Sequence, residues 1–166
     1  MNSKNLVGLI IIILVLVGLV AWSRQDSTAN NSQNNNQSQT ELTAAETSFD
    51  FGAIKINGGL VRHDFAVRNS GAAPLTIKKI YTSCMCTTAV WTGPDGQTTG
   101  PFGMPGHGSI PTINEILAPD QEATVAVTFD PAAHGPSGIG RVERLIYLET
   151  DDAEPLILKF TVNVTP

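Results

Sequence analysis

Cysteine is scarce in this 166-residue sequence: there are two, one residue apart, in Ser83-Cys84-Met85-Cys86-Thr87. Two cysteines cannot build a dense disulfide framework, so the fold must rest on a hydrophobic core. Positive charge is scarce as well. From Glu41 to Pro166 there are 14 Asp and Glu against 8 Lys and Arg, with no basic cluster beyond Lys78-Lys79. This argues against nucleic acid as a partner, because phosphate binding needs concentrated positive charge. Catalytic signatures are missing too. Gly135-Pro136-Ser137-Gly138-Ile139 lacks the last glycine of a nucleophile elbow, no glycine-rich loop ends in Gly-Lys-Ser or Gly-Lys-Thr, and no His-Glu-x-x-His occurs. The acidic stretch Asp151-Asp152-Ala153-Glu154 lacks calcium-ligand spacing and reads as a solvated hairpin turn. The expectation is a protein that is not an enzyme.

The chain does contain one long apolar run. Leu6 to Trp22 has no charged or strongly polar residue, and as a helix it spans roughly 25 Å at about 1.5 Å per residue, enough for a bilayer. Lys4 and the terminal amine precede it, and Arg24 and Asp26 nearly cancel after it, which puts the N-terminus in the cytoplasm and the rest outside. A cleaved signal peptide is the competing reading, with Ser27 and Ala29 as the small residues of a cleavage site. The division expected is an anchor or signal peptide over residues 1–26, a disordered polar linker over 27–46 and a folded domain over 47–166. The linker expectation rests on Ser27 to Thr40, which is almost entirely Asn, Gln, Ser and Thr and cannot bury enough surface to offset the cost of ordering.

From Ser48 onward the apolar pattern has period two and is punctuated by Gly, Pro, Asn and Asp, with no helical stretch of ten residues. Phe49, Phe51 and Ile54 begin a first strand. Val61, His63, Phe65 and Val67 share the inner face of the next, so His63 is predicted to point inward. A third starts at Leu75, with Lys78-Lys79 marking a bulge, and runs into the cysteines. Ala123 to Phe129, Arg141 to Thr150 and Leu156 to Val164 supply the later strands. The fold class predicted is all-β, an immunoglobulin-like antiparallel sandwich of about seven strands, preceded by the transmembrane helix.

Several of these elements together carry a family resemblance. Phe49-Asp50-Phe51-Gly52, His63-Asp64-Phe65, Asn69-Ser70-Gly71, Pro74-Leu75-Thr76-Ile77, Ser83-Cys84-Met85-Cys86-Thr87, Leu117-Ala118-Pro119-Asp120 and Val127-Thr128-Phe129-Asp130-Pro131 resemble a bacterial domain-of-unknown-function family. That family is similar to the hydin-type and major-sperm-protein-like immunoglobulin folds, and its members usually follow a signal or anchor segment. The resemblance implies a sandwich facing the periplasm or the cell exterior. Where the family has Cys-Gly-Cys and Pro-Gly, this chain has Met85 and Asp120.

In an extended segment residues i and i+2 point to one side, so Cys84 and Cys86 would present both sulfurs together. Buried structural thiols, a redox pair and a soft-metal site are the three readings of that arrangement. The loop Gly100 to Gly108 offers Met104 and His107 around Pro105-Gly106. Thiolate, thioether and imidazole are copper(I) ligands, and thiolate and imidazole also hold zinc. The candidate metal ligands are therefore Cys84, Cys86, Met104 and His107, with copper(I) or zinc as the only cofactor considered. His134 reads as an exposed loop residue. The partners expected are the membrane, through the N-terminal helix, and a protein at the envelope, met through Trp91, Phe102 and the Pro/Gly-rich insertion. The function expected is a non-enzymatic binding or assembly module, with soft-metal binding or thiol redox chemistry as the alternative.

Overall fold

The computed structural model describes residues 41–107, 112–151 and 154–166. The apolar run over 6–22 and the polar stretch over 27–40 lie outside them. Among the described residues no helix is long and apolar enough to cross a membrane.

The described residues form ten strands: β1 (Leu42–Ala44), β2 (Ser48–Lys55), β3 (Val61–Asn69), β4 (Leu75–Thr82), β5 (Thr87–Thr92), β6 (Thr98–Phe102), β7 (Glu115–Leu117), β8 (Glu122–Phe129), β9 (Gly140–Thr150) and β10 (Leu156–Thr165). One five-stranded sheet has the order β1-β3-β8-β5-β6, the other β2-β10-β9-β4-β7. Their inner faces share one core. Phe160 of β10 packs edge-on against Phe129 of β8, with ring centroids 5.4 Å apart, and against Phe51 of β2 at 5.2 Å. This is an immunoglobulin-like β-sandwich.

Period two sets the buried face of each long strand. In β10 Leu156, Leu158, Phe160, Val162 and Val164 are all buried, while the residues between them face outward. In β3 Phe65 and Val67 are buried, whereas Arg62 and Asp64 pair with each other outside. His63 points inward as predicted, stacked on Phe49 at 3.7 Å between ring centroids, with Nε2 2.6 Å from Glu46 Oε1. The register of β4 against β9 shifts between Ile77 and Lys79, the bulge predicted at Lys78-Lys79. It lets Ile77 and Ile80 both face the core.

Four expectations need correction. Among the described residues the sandwich has ten strands rather than about seven, because β1, β6 and β7 are only three, five and three residues long and too short to display a period. It is not wholly antiparallel: β2 runs parallel to β10. The domain begins inside the segment read as linker, since Leu42 pairs with Asn69 and is fully buried. Trp91 and Phe102 do not form a binding edge. Each is 1% exposed, and the insertion contributes β6, which pairs with β5 and brings Phe102 into the core.

Asn69 closes one end of the sandwich from a fully buried position. Its Nδ2 donates to the Ala73 and Leu117 carbonyls at 2.8 Å each, and its Oδ1 accepts from the Gly71 N–H at 2.9 Å. One side chain thereby ties the β3–β4 connection to the end of β7. Nearby Asp120, which stands where the resembling family has glycine, holds φ at 64°, a left-handed conformation that Asp tolerates better than most residues.

Candidate soft-metal site

Two chain crossings run side by side at one end of the sandwich. The first, Ser83–Cys86, carries the chain from β4 in one sheet to β5 in the other. The second, Asp130–Ile139, carries it from β8 back to β9. Since β5 pairs with β8 and β4 with β9, the two connections must be neighbours. Register fixes the match: Thr87 faces Phe129, and the Asp130 N–H donates to the Cys86 carbonyl at 2.9 Å.

The cysteines do sit together, but by a different geometry from the extended one expected. They belong to a tight turn in which the Thr87 N–H donates to the Cys84 carbonyl at 3.1 Å. The buried Thr82 hydroxyl lies 3.0 Å from both the Cys84 and Thr87 carbonyl oxygens and donates to them. Met85 occupies the turn where the resembling family has glycine, and its side chain is half exposed. Ser83 fastens the turn to β9, donating its N–H to the Leu145 carbonyl and accepting the Leu145 N–H on Oγ, both at 2.9 Å.

The turn leaves the two sulfurs 2.6 Å apart, with both cysteines free, Cys86 buried and Cys84 partly accessible. His134 Nε2 lies 3.1 Å from Cys84 Sγ. The ring is carried by the second crossing, where Pro136 opens a single 3-10 turn over Gly135–Gly138 and Ser137 Oγ donates to the His134 carbonyl at 2.6 Å. Arg144 reaches in from the inner face of β9 and donates from Nε to Cys86 Sγ at 3.1 Å.

Electrostatics divide the two thiols. Burial opposes ionisation of Cys84, but hydrogen bonds from the Cys86 thiol and N–H, the His134 ring and the nearby Arg144 charge outweigh it and bring Cys84 down to about 7. Burial pushes the Cys86 thiol up, reinforced by its donation to Cys84 and opposed by Arg144. Burial opposes the charge on the Arg144 guanidinium, but its bond to Cys86 and the charge of the two thiols together outweigh it and raise Arg144 above its ordinary value. Of the two, the accessible sulfur is therefore the one that ionises first, and the buried one keeps its proton to higher pH.

The donor atoms of Cys84, Cys86 and His134 all lie within 4.8 Å of one another. Two soft sulfurs and one imidazole fit copper(I) or zinc. A metal at about 2.3 Å from each sulfur requires the sulfurs to part by roughly 1 Å, a movement open to the partly accessible Cys84. His107 is not in this cluster. It is exposed, in a turn where its N–H donates to the Met104 carbonyl at 3.3 Å, and Met104 heads that turn half-buried.

His134 and Arg144 were not singled out from the sequence as part of a site. His134 is exposed, as read, yet it borders the cysteines. The signal available was strand pairing: once Ala123–Phe129 is set antiparallel to the strand after Cys86, the residues following Asp130-Pro131 must lie beside the cysteine turn. Arg144 occupies an inward position between Val142 and Ile146, where a charged residue breaks the alternation of β9.

Residues 42–97, from β1 through the cysteine turn and β5, match the family described as "Protein of unknown function (DUF1573)". No curated protein matches. Among solved structures, a protein of unknown function from Porphyromonas gingivalis W83 is similar with a TM-score of 0.54 and 18% identity, over 74% of this chain and 46% of that one. The VesB protease of Vibrio cholerae is similar with a TM-score of 0.52 and 15% identity, over 75% of this chain and 32% of the protease. The ASH / PapD-like domain of human CEP192 aligns with a TM-score of 0.47 and 13% identity, over 77% of this chain and 87% of that domain. The Porphyromonas gingivalis and Vibrio cholerae likenesses show the fold alone, the human one is too weak to show even that, and this chain spans less than half of either bacterial protein.

Proposed function

We propose that this chain is a membrane-anchored, extracytoplasmic immunoglobulin-like domain that acts as a binding module rather than an enzyme, and that what it binds is a soft metal ion. The observation that carries the metal reading is the convergence of Cys84, Cys86 and His134 within 4.8 Å. A pair of structural thiols needs neither a histidine on the accessible sulfur nor an arginine on the buried one. An immunoglobulin-like sandwich suits a module whose loops present a site. The apolar run from Leu6 to Trp22 supports the anchor, and the charge balance around it supports a cytoplasmic N-terminus.

The full chain, purified in detergent under reducing, oxygen-free conditions, is expected to take up one equivalent of copper(I) or zinc. Cys84→Ser and His134→Ala should weaken retention at least tenfold, while His107→Ala should leave it unchanged. Equal retention by all three variants, or no stoichiometric metal in the parent protein, would remove this reading. Protease added to spheroplasts should digest the sandwich and spare the anchor; a protected sandwich would reverse the topology.

A further inference from the structure

Arg144 is the remaining charged group at the site, and its surroundings decide what it can do there. Arg62, Arg68, Lys79 and Lys159 each pair with a carboxylate, at 2.8, 2.6, 3.2 and 3.4 Å respectively. Among the described residues Arg144 enters no such pair. Its guanidinium bonds Cys86 Sγ through Nε and the Glu143 carbonyl through Nη1 at 2.8 Å. Arg144 is therefore placed against the cysteine pair rather than against a carboxylate, in a half-buried setting where unbalanced charge is costly.

We propose that Arg144 makes the Cys84, Cys86 and His134 cluster a copper(I) site in preference to a zinc site, by supplying the positive charge that balances two thiolates around a monovalent ion. The inference rests on the soft-metal reading above. Binding releases the remaining thiol protons to solvent, so the two sulfurs carry two negative charges. With a monovalent ion and Arg144 the cluster sums to zero. With a divalent ion it sums to one excess positive charge, and the guanidinium then repels the metal at close range. Ligand number acts in the same direction. The described residues supply three donors, so zinc would need a water as its fourth ligand, and soft sulfur donors favour copper(I). Arg144 is a specificity-determining residue under this proposal and does not itself ligate the metal.

The test is the ratio of copper(I) to zinc affinity, each measured by chelator competition on the full chain. The ratio is the right readout because both metals displace the same thiol protons, so any change in thiol acidity cancels. Arg144→Gln and Arg144→Met are expected to lower the copper(I) preference about tenfold or more, and Arg144→Lys to retain most of it. Either neutral variant suffices if the other does not fold, with folding judged by thermal unfolding. An unchanged ratio in a folded neutral variant overturns the proposal and leaves the soft-metal reading intact, as does Arg144→Lys behaving like the neutral variants. Failure of the parent protein to bind either metal overturns both.

Discussion

Cys84 concentrates the chemistry of this protein in one side chain. Burial alone would make it a poor acid, and its ionisation near neutral pH depends on donors brought from Cys86, His134 and Arg144. The metal-free, reduced protein should therefore alkylate at Cys84 with a rate that rises through a midpoint near pH 7. In His134→Ala that midpoint should move up toward the ordinary thiol range, because one donor to the thiolate is gone. Iodoacetamide labelling followed by peptide mass spectrometry measures both, and a parent midpoint near 9 would contradict the geometry. Linkage gives the stability a matching sign. A thiol whose folded value lies below the ordinary 9.0 stabilises the fold above that value, and the contribution is lost as pH falls through about 7. Cys86, raised by burial, acts in the opposite direction.

At the scale of elements, the turns do as much as the strands. Asn69 satisfies two carbonyls and one N–H, from the β3–β4 connection and the end of β7, while fully buried. Replacing it with alanine strands all three groups, at about 1 kcal/mol or more apiece. Asn69→Ala should lower the unfolding free energy by roughly 3 kcal/mol, whereas Thr43→Ala, which removes one exposed bond to the Arg68 carbonyl, should cost under about 0.5 kcal/mol. Denaturant titration of the two variants separates these outcomes. Equal midpoints would mean that the Asn69 bonds contribute little beyond what water supplies. The cysteine turn follows the same logic: Thr82, Ser83 and Thr87 hold it closed through backbone contacts, so the two sulfurs meet without a glycine at position 85.

At the scale of the whole molecule, β1 is the element most easily overlooked. A chain beginning at Glu41 retains Leu42, the Ala45 N–H bond to the Ala66 carbonyl and the Glu46 contact with His63. A chain beginning at Thr47 loses all of these. Full burial of one leucine contributes about 2–3 kcal/mol, and with the strand hydrogen bonds the shorter chain should be less stable by roughly 3–5 kcal/mol. Comparing the two by urea denaturation checks this. Indistinguishable stabilities would mean that the sequence-based boundary at 47 was correct.

Amphipathic alternation determined the long strands without help from tertiary structure. β2, β3, β8, β9 and β10 follow from apolar residues at every second position, and the bulge at Lys78-Lys79 follows from a break in that pattern. The inward orientation of His63 was legible in the same way, whereas the two cysteine sulfurs meet through a tight turn and not through the extended backbone from which their meeting was expected. Tertiary structure alone decided what pairing across the sandwich decides. Three-residue strands such as β1 and β7 have no period to read and exist because a neighbour offers them a ladder. The parallel pairing of β2 with β10 joins segments more than a hundred residues apart. The site belongs to the same class: His134 stands 50 residues from Cys84 and Arg144 stands 58 from Cys86. Local sequence carries the chemistry of each side chain, but the distances among them are set by which strands become neighbours, and that is settled only when the two sheets close over their common core.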